Sequence, residues 1–122
     1  NVLPSRVVDR QTDGKVEVEF DGGSRITLSS ADYGDIPDRG LIATRPEGLT
    51  PGTGDNGIAT SIGLRTFLGR SYQYHCESSA GTLVALGAIE TPFEAGAAVR
   101  LTINPLYSAI LPFENVSGKK DI

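Results

Sequence analysis

The residues best suited to chemistry are His75, Cys76 and Glu77, three consecutive groups able to ligate a metal or carry a proton. The 122-residue chain holds one His and one Cys in all. Neighbours on a strand point to opposite faces, so Cys76 shares its face with Tyr72 and Tyr74, while Gln73, His75 and Glu77 face the other way. Three such residues cannot close a tetrahedral site without a bulge, and the chain has no second His or Cys to complete it. Cys76 therefore reads as a small core residue and His75 as a surface or interface residue. No Ser and Asp pattern accompanies His75 to make a nucleophilic set. Asp32, Asp35 and Asp38 match neither a calcium loop nor an acid/base carboxylate pair, and read as a solvated acidic loop.

Gly52-Thr53-Gly54-Asp55-Asn56-Gly57 fits G-x-G-x-x-G. The dinucleotide fingerprint needs a strand before it and a helix after it, so that a pyrophosphate meets the helix N-terminus. A β-type pattern follows instead, and the segment reads as a loop. No G-x-x-x-x-G-K-[ST] occurs, so the chain has no phosphate-cradling loop of its own. Asn115-Val116-Ser117 is a glycosylation sequon in form only, without secretory context. The expectation is a chain with no catalytic set, no metal site and no cofactor of its own.

The elements that position these residues are strands. Ile58, Thr60, Ile62 and Leu64 alternate onto one face, as do Tyr72, Tyr74 and Cys76, and Val99, Leu101 and Ile103. Such period-2 patterns mark half-buried strands. Residues 2–9 form a first strand whose start Pro4 confines to an edge or bulge. Residues 15–20 place Val16, Val18 and Phe20 inward and Lys15, Glu17 and Glu19 outward, and the turn at 21–23 returns the chain into 24–28, with Ile26 and Leu28 facing the core. Ser29 and Ser30 cap a helical turn through 31–36, which Pro37 and Gly40 end. A strand follows at 41–45. Residues 48–57 read as a turn-rich loop joining two halves. Further strands are predicted at 57–67, 70–78, 82–87, 97–103 and 107–111, with a plain turn at 94–96 and a frayed tail at 113–122. No helix of ten residues is visible. The fold class is all-β.

Composition bounds the partners. With 11 basic and 15 acidic residues the net charge is −4, which argues against a nucleic-acid partner. One cysteine permits no internal disulfide, which fits a reducing compartment. No apolar run reaches the ~18–20 residues of a membrane helix, and no signal peptide is visible. The chain contains no Met and is read as a piece of something larger.

Arg45-Pro46-Glu47 closes a strand, and Pro46 sets Arg45 in an extended conformation. From there Arg45 forks onto a carboxylate as a structural tie or docks another domain; the residues alone leave both open.

Read in order, the motifs resemble one family. Asn1-Val2-Leu3-Pro4 is similar to the segment after the nucleotide-binding domain of importer ATPases. Arg45-Pro46-Glu47-Gly48-Leu49 resembles the "RPE-x-L" of their C-terminal region. Phe67-Leu68-Gly69 with Tyr72 and Tyr74 resembles the "(F/Y)LG…Y" signature of the transport-associated OB (TOBE) domain, and Val99-Arg100-Leu101 with Asn104-Pro105 resembles its end. The resemblance covers residues 1–112. It is to the ATP-binding subunits of ABC importers for polyamines, ferric iron, maltose-type sugars or sulfate.

The resemblance implies two intertwined OB-like β halves, at 1–49 and 57–112, joined by a 50–56 loop and followed by a 113–122 tail. It implies a non-catalytic regulatory and dimerisation role, cytoplasmic and peripheral to the inner face of the membrane. The implied partners are the parent's own ATPase domain, a second copy of the subunit and, indirectly, the permease subunits. ATP and Mg belong to the absent ATPase domain. Arg45, Glu47, Phe67, Leu68 and Gly69 are the candidate docking residues. The alternative is a β-barrel module that senses an oxyanion, metal or solute, although no segment matches the oxyanion-binding stretches of molybdate-binding relatives.

Overall fold

Alternation of Val16, Val18 and Phe20 with charged residues makes Lys15–Phe20 (β2) a strand with one wet face, and it pairs antiparallel with Arg25–Ser29 (β3). The computed structural model describes residues 1–113. The sequon and most of the expected tail lie outside them. Val2–Arg10 (β1) runs beside β2, and Arg39–Thr44 (β4) flanks β1 on its other side. β2 pairs with β1 only from Ser5 onward. Pro4 therefore sits where β1 has a single neighbour, β4, and its missing N–H leaves no gap in a central ladder.

Leu49–Gly52 (β5), Ile58–Phe67 (β6), Ser71–Ser78 (β7), Gly81–Ala88 (β8) and Ala98–Ile103 (β9) form a second sheet in the order β5-β9-β6-β7-β8. Ser108–Pro112 (β10) then returns to the first sheet, whose order is β10-β4-β1-β2-β3. The second sheet curls until its outer strands β5 and β8 lie against each other. At this seam a Cβ on Gly87 would meet Tyr74 Cε2 at 2.8 Å and Pro51 Cγ at 3.3 Å. The result is an all-β, OB-like architecture of two barrel-like sheets. Leu3, Val18 and Ile42 of the first sheet and Ile58, Tyr74 and Leu101 of the second belong to one buried cluster.

Four expectations are corrected. The helix is only Ser30–Tyr33 (α1) and ends at Gly34, whose N–H donates to Ser30 O at 2.8 Å. Pro37 and Gly40 lie beyond it, and the next strand begins at Arg39 rather than residue 41. Part of the 48–57 loop is strand β5, held by nonlocal pairing with β9. Leu64 does not share the face of Ile62: a bulge at Gly63 shifts the register so that Ile62 pairs with Cys76 and Leu64 with His75, leaving Leu64 exposed.

Tyr74 and Cys76 are fully buried, Tyr72 is half-buried, and Glu77 is exposed. Tyr74 Oη accepts the Phe93 N–H at 3.0 Å, so this core phenol is also satisfied. Removing such a ring costs about 3–5 kcal/mol when the cavity does not collapse. Tyr74→Ala should lower the urea midpoint far more than Gln73→Ala, its half-buried neighbour. Equal shifts would show the β7 facing to be wrong.

Candidate functional site

The chemistry-bearing residues are not brought together. Cys76 is buried, and desolvation pushes its thiol above the ordinary value, opposed in part by the nearby Thr60 hydroxyl, which itself donates to Val99 O at 3.2 Å. A protonated, inaccessible thiol is a poor nucleophile. His75 lies opposite Leu64 and Val84 on the other face of β7, and Glu77 accepts from Thr82 Oγ1 at 2.9 Å. Among the described residues no three His, Cys, Asp or Glu side chains are grouped to hold a metal. The 52–57 glycines connect strands β5 and β6, so no helix N-terminus follows them. Asp38 accepts from Arg10 at 2.7 Å. Tyr33 Oη is buried without a hydrogen-bond partner; desolvation raises its pKa, opposed by a Ser108 hydroxyl that stops short of hydrogen-bond geometry.

The candidate docking residues occupy two places. Arg45 is extended (φ −74°, ψ 159°), as Pro46 requires, and precedes a 3-10 turn at Pro46–Gly48. Its side chain is 73 % exposed, and Nε is 4.0 Å from the Glu47 carboxylate. That contact is too long for a hydrogen bond and too wet to contribute measurably. Phe67, Leu68 and Gly69 form the β6–β7 turn. Leu68 N–H donates to Ser71 O at 2.8 Å, closing a two-residue loop whose first residue, Gly69, has φ +91°. Phe67 and Leu68 are 60 % and 51 % exposed. The turn is nonetheless anchored. Phe67 packs on Tyr72 at 5.5 Å, Tyr72 on Tyr74 at 6.0 Å and Tyr74 on Phe93 at 6.0 Å, with the Arg65 guanidinium 4.7 Å over the Tyr72 ring. This ladder carries an exposed aromatic edge straight from the core.

Sequence reading missed how the strand turns meet. The turn Pro46–Gly48 passes the chain from the first sheet to the second, and a matching 3-10 turn, Pro105–Tyr107, passes it back. The two lie side by side. Arg45 N–H donates to Tyr107 O at 3.2 Å, Asn104 N–H to Gly48 O at 2.8 Å, and Ser108 Oγ to Thr44 Oγ1 at 2.9 Å. Each turn has proline at its start, the position where a missing N–H is harmless. Two clefts flank the sheets. One, of about 370 Å³, is bounded by Arg6, Glu19, Arg39 and Phe113; the other, of about 380 Å³, lies between β3 and β9 near Asn56 and Gly57.

Arg6 and Arg25 both bond the Glu19 carboxylate and hold its pKa below the usual carboxylate value. The charged form is favoured by folding, so this contribution is present above the unfolded-chain pKa and lost as pH falls through the lower folded one. Acidifying below about pH 4.5 should lower the melting temperature of the native chain more than that of Glu19→Gln. Identical acid profiles would remove the linkage. Gly48 tests the crossover pair: a Cβ there would collide with Thr44 Oγ1 and lie 3.1 Å from Tyr107 Cβ. Gly48→Ala should cost about 1–3 kcal/mol in denaturant unfolding, and a neutral effect would mean the turns are not in contact.

The family described as TOBE domain matches residues 42–106, from within β4 to the second crossover turn. No curated protein matches the chain.

Proposed function

We propose, from the premise that this chain belongs to the TOBE-domain family, that it is a non-catalytic regulatory and dimerisation module of an ABC importer's ATP-binding subunit. The family match carries this reading, because it spans the first crossover and the whole second sheet and reaches into the second crossover. ATP and Mg would bind in the parent's ATPase domain and not here. The module would sit in the cytoplasm at the inner face of the membrane, reaching the permease subunits through its ATPase domain. No helix among the described residues is long and apolar enough to cross a membrane.

Arg45, Glu47 and the Phe67–Leu68–Gly69 turn are the residues we assign to contacts with the ATPase domain or a second copy. An exposed aromatic backed by a rigid ladder loses little entropy on docking, which favours the β6–β7 turn as an anchor. The cleft between β3 and β9 favours a second reading, a small-ligand sensor. Calorimetry against molybdate, sulfate, phosphate and candidate solutes separates the two, since the docking reading expects no heat of binding.

Sedimentation velocity over a wide concentration range should show a reversible homodimer, weakened by Phe67→Ala. A strict monomer at high concentration would remove the dimerisation role. The same preparation should show no ATP turnover, and turnover abolished by one substitution in this chain would overturn the non-catalytic assignment.

A further inference from the structure

On strands β10, β4 and β1 part of the outward face of the first sheet is apolar, whereas on β2 and β3 it carries the polar residues usual for a solvent-facing sheet. Strand register aligns Val2, Ala43 and Ala109 in one row and Pro4, Leu41 and Leu111 in the next. Their alternate neighbours, Leu3 and Ile42, are fully buried on the opposite face, whereas Val2 and Leu111 are 57 % and 48 % exposed. Ala109 is exposed as well, while Pro4, Leu41 and Ala43 are half-buried. Arginine bounds these two rows at both ends. Arg39 lies one row beyond Leu41, its guanidinium 5.0 Å over the Phe113 ring. Arg45 lies two residues beyond Ala43, held beside the second crossover turn by its N–H bond to Tyr107 O. Six residues of strand separate the two cations, about 20 Å. The sign is opposite to that of the chain, whose net charge is −4.

We propose that this face docks an amphipathic helix of a partner protein, with an apolar stripe bounded by a carboxylate at each end. A helix laid on a sheet is the usual cover for an apolar sheet face. A span of about 20 Å corresponds to about thirteen helical residues at 1.5 Å each. The Arg45–Glu47 contact does not hold Arg45 back, because both side chains are exposed and 4.0 Å apart. A second copy fits poorly: in aligned sheet stacking, parallel or antiparallel, arginine faces arginine at both ends. The assignment does not depend on the transporter reading, since it follows from register and charge alone.

The probe is a fluorescein-labelled synthetic helix with a leucine stripe and glutamates about thirteen residues apart, titrated with the 122-residue chain by fluorescence anisotropy. The glutamate peptide should bind, the Arg39→Glu/Arg45→Glu double variant should weaken it about fivefold, and a lysine-ended peptide should regain affinity for that variant. Leu111→Glu should abolish both. Amide chemical-shift changes on the native chain should fall on Val2, Leu41, Ala43 and Ala109, which keeps the test independent of any variant's folding. The proposal is overturned if glutamate and lysine peptides bind the native chain alike, if neither binds, or if the shifts map elsewhere. It is equally overturned if the chain alone dimerises and Leu111→Glu abolishes that dimer, because the face then belongs to a second copy.

Discussion

Two crossover turns lie back to back at Gly48, and neither sheet is complete without them. Strand β10 comes near the end of the described chain, yet it closes the first sheet beside β4, while β5, only a few residues past β4, opens the second. The crossovers must therefore pass each other at backbone distance. Gly48 permits this because a side chain there would collide with Thr44 and Tyr107. The hydrogen bonds between Arg45 and Tyr107, and between Asn104 and Gly48, satisfy backbone groups that two bare turns would leave unpaired. The common core follows: with the strands exchanged, the inner faces of both sheets contribute to one buried cluster.

A smaller contact serves the same end. Asn1 Nδ2 donates to Val84 O at 2.8 Å, and Asn1 Oδ1 accepts the Val84 N–H at 2.7 Å. One side-chain amide thus imitates a strand residue on the outer edge of β8. It ties the start of the first sheet to the far side of the second and occupies part of an edge that would otherwise offer itself for pairing.

Much of the fold was legible wherever facing is decided locally. Val16, Val18 and Phe20 alternate with charges, and Tyr74 and Cys76 alternate with Gln73 and Glu77, so their burial follows from a period of two. Strand β5 was not legible, because Pro51 and Gly52 have poor strand propensity and are held by partners some fifty residues away. Leu64 was misplaced because one bulged residue at Gly63 inverts everything after it. The extended shape of Arg45 could be read from Pro46, but its place at the end of an apolar sheet face could not. Residues 2–4 and 41–43 are apolar on both faces and look like any buried strand. Only the register of three strands drawn from opposite ends of the chain shows that one face is bare.

The exchange of strands also dictates the order in which the chain can mature during synthesis. Until residues 108–112 have been made, β4 carries an unpaired edge, and until β8 has been made the start of the first sheet lacks the tie that Asn1 makes to Val84. The first half of the molecule therefore leaves the ribosome as an unfinished sheet and must wait for the second before either can lock. Among the described residues four of the eight strand pairings, β1–β4, β4–β10, β5–β9 and β6–β9, join distant parts of the chain, the kind of pairing that forms slowly, so the nascent protein spends that interval with open strand edges. Those edges stay open until β10 has been made and paired beside β4.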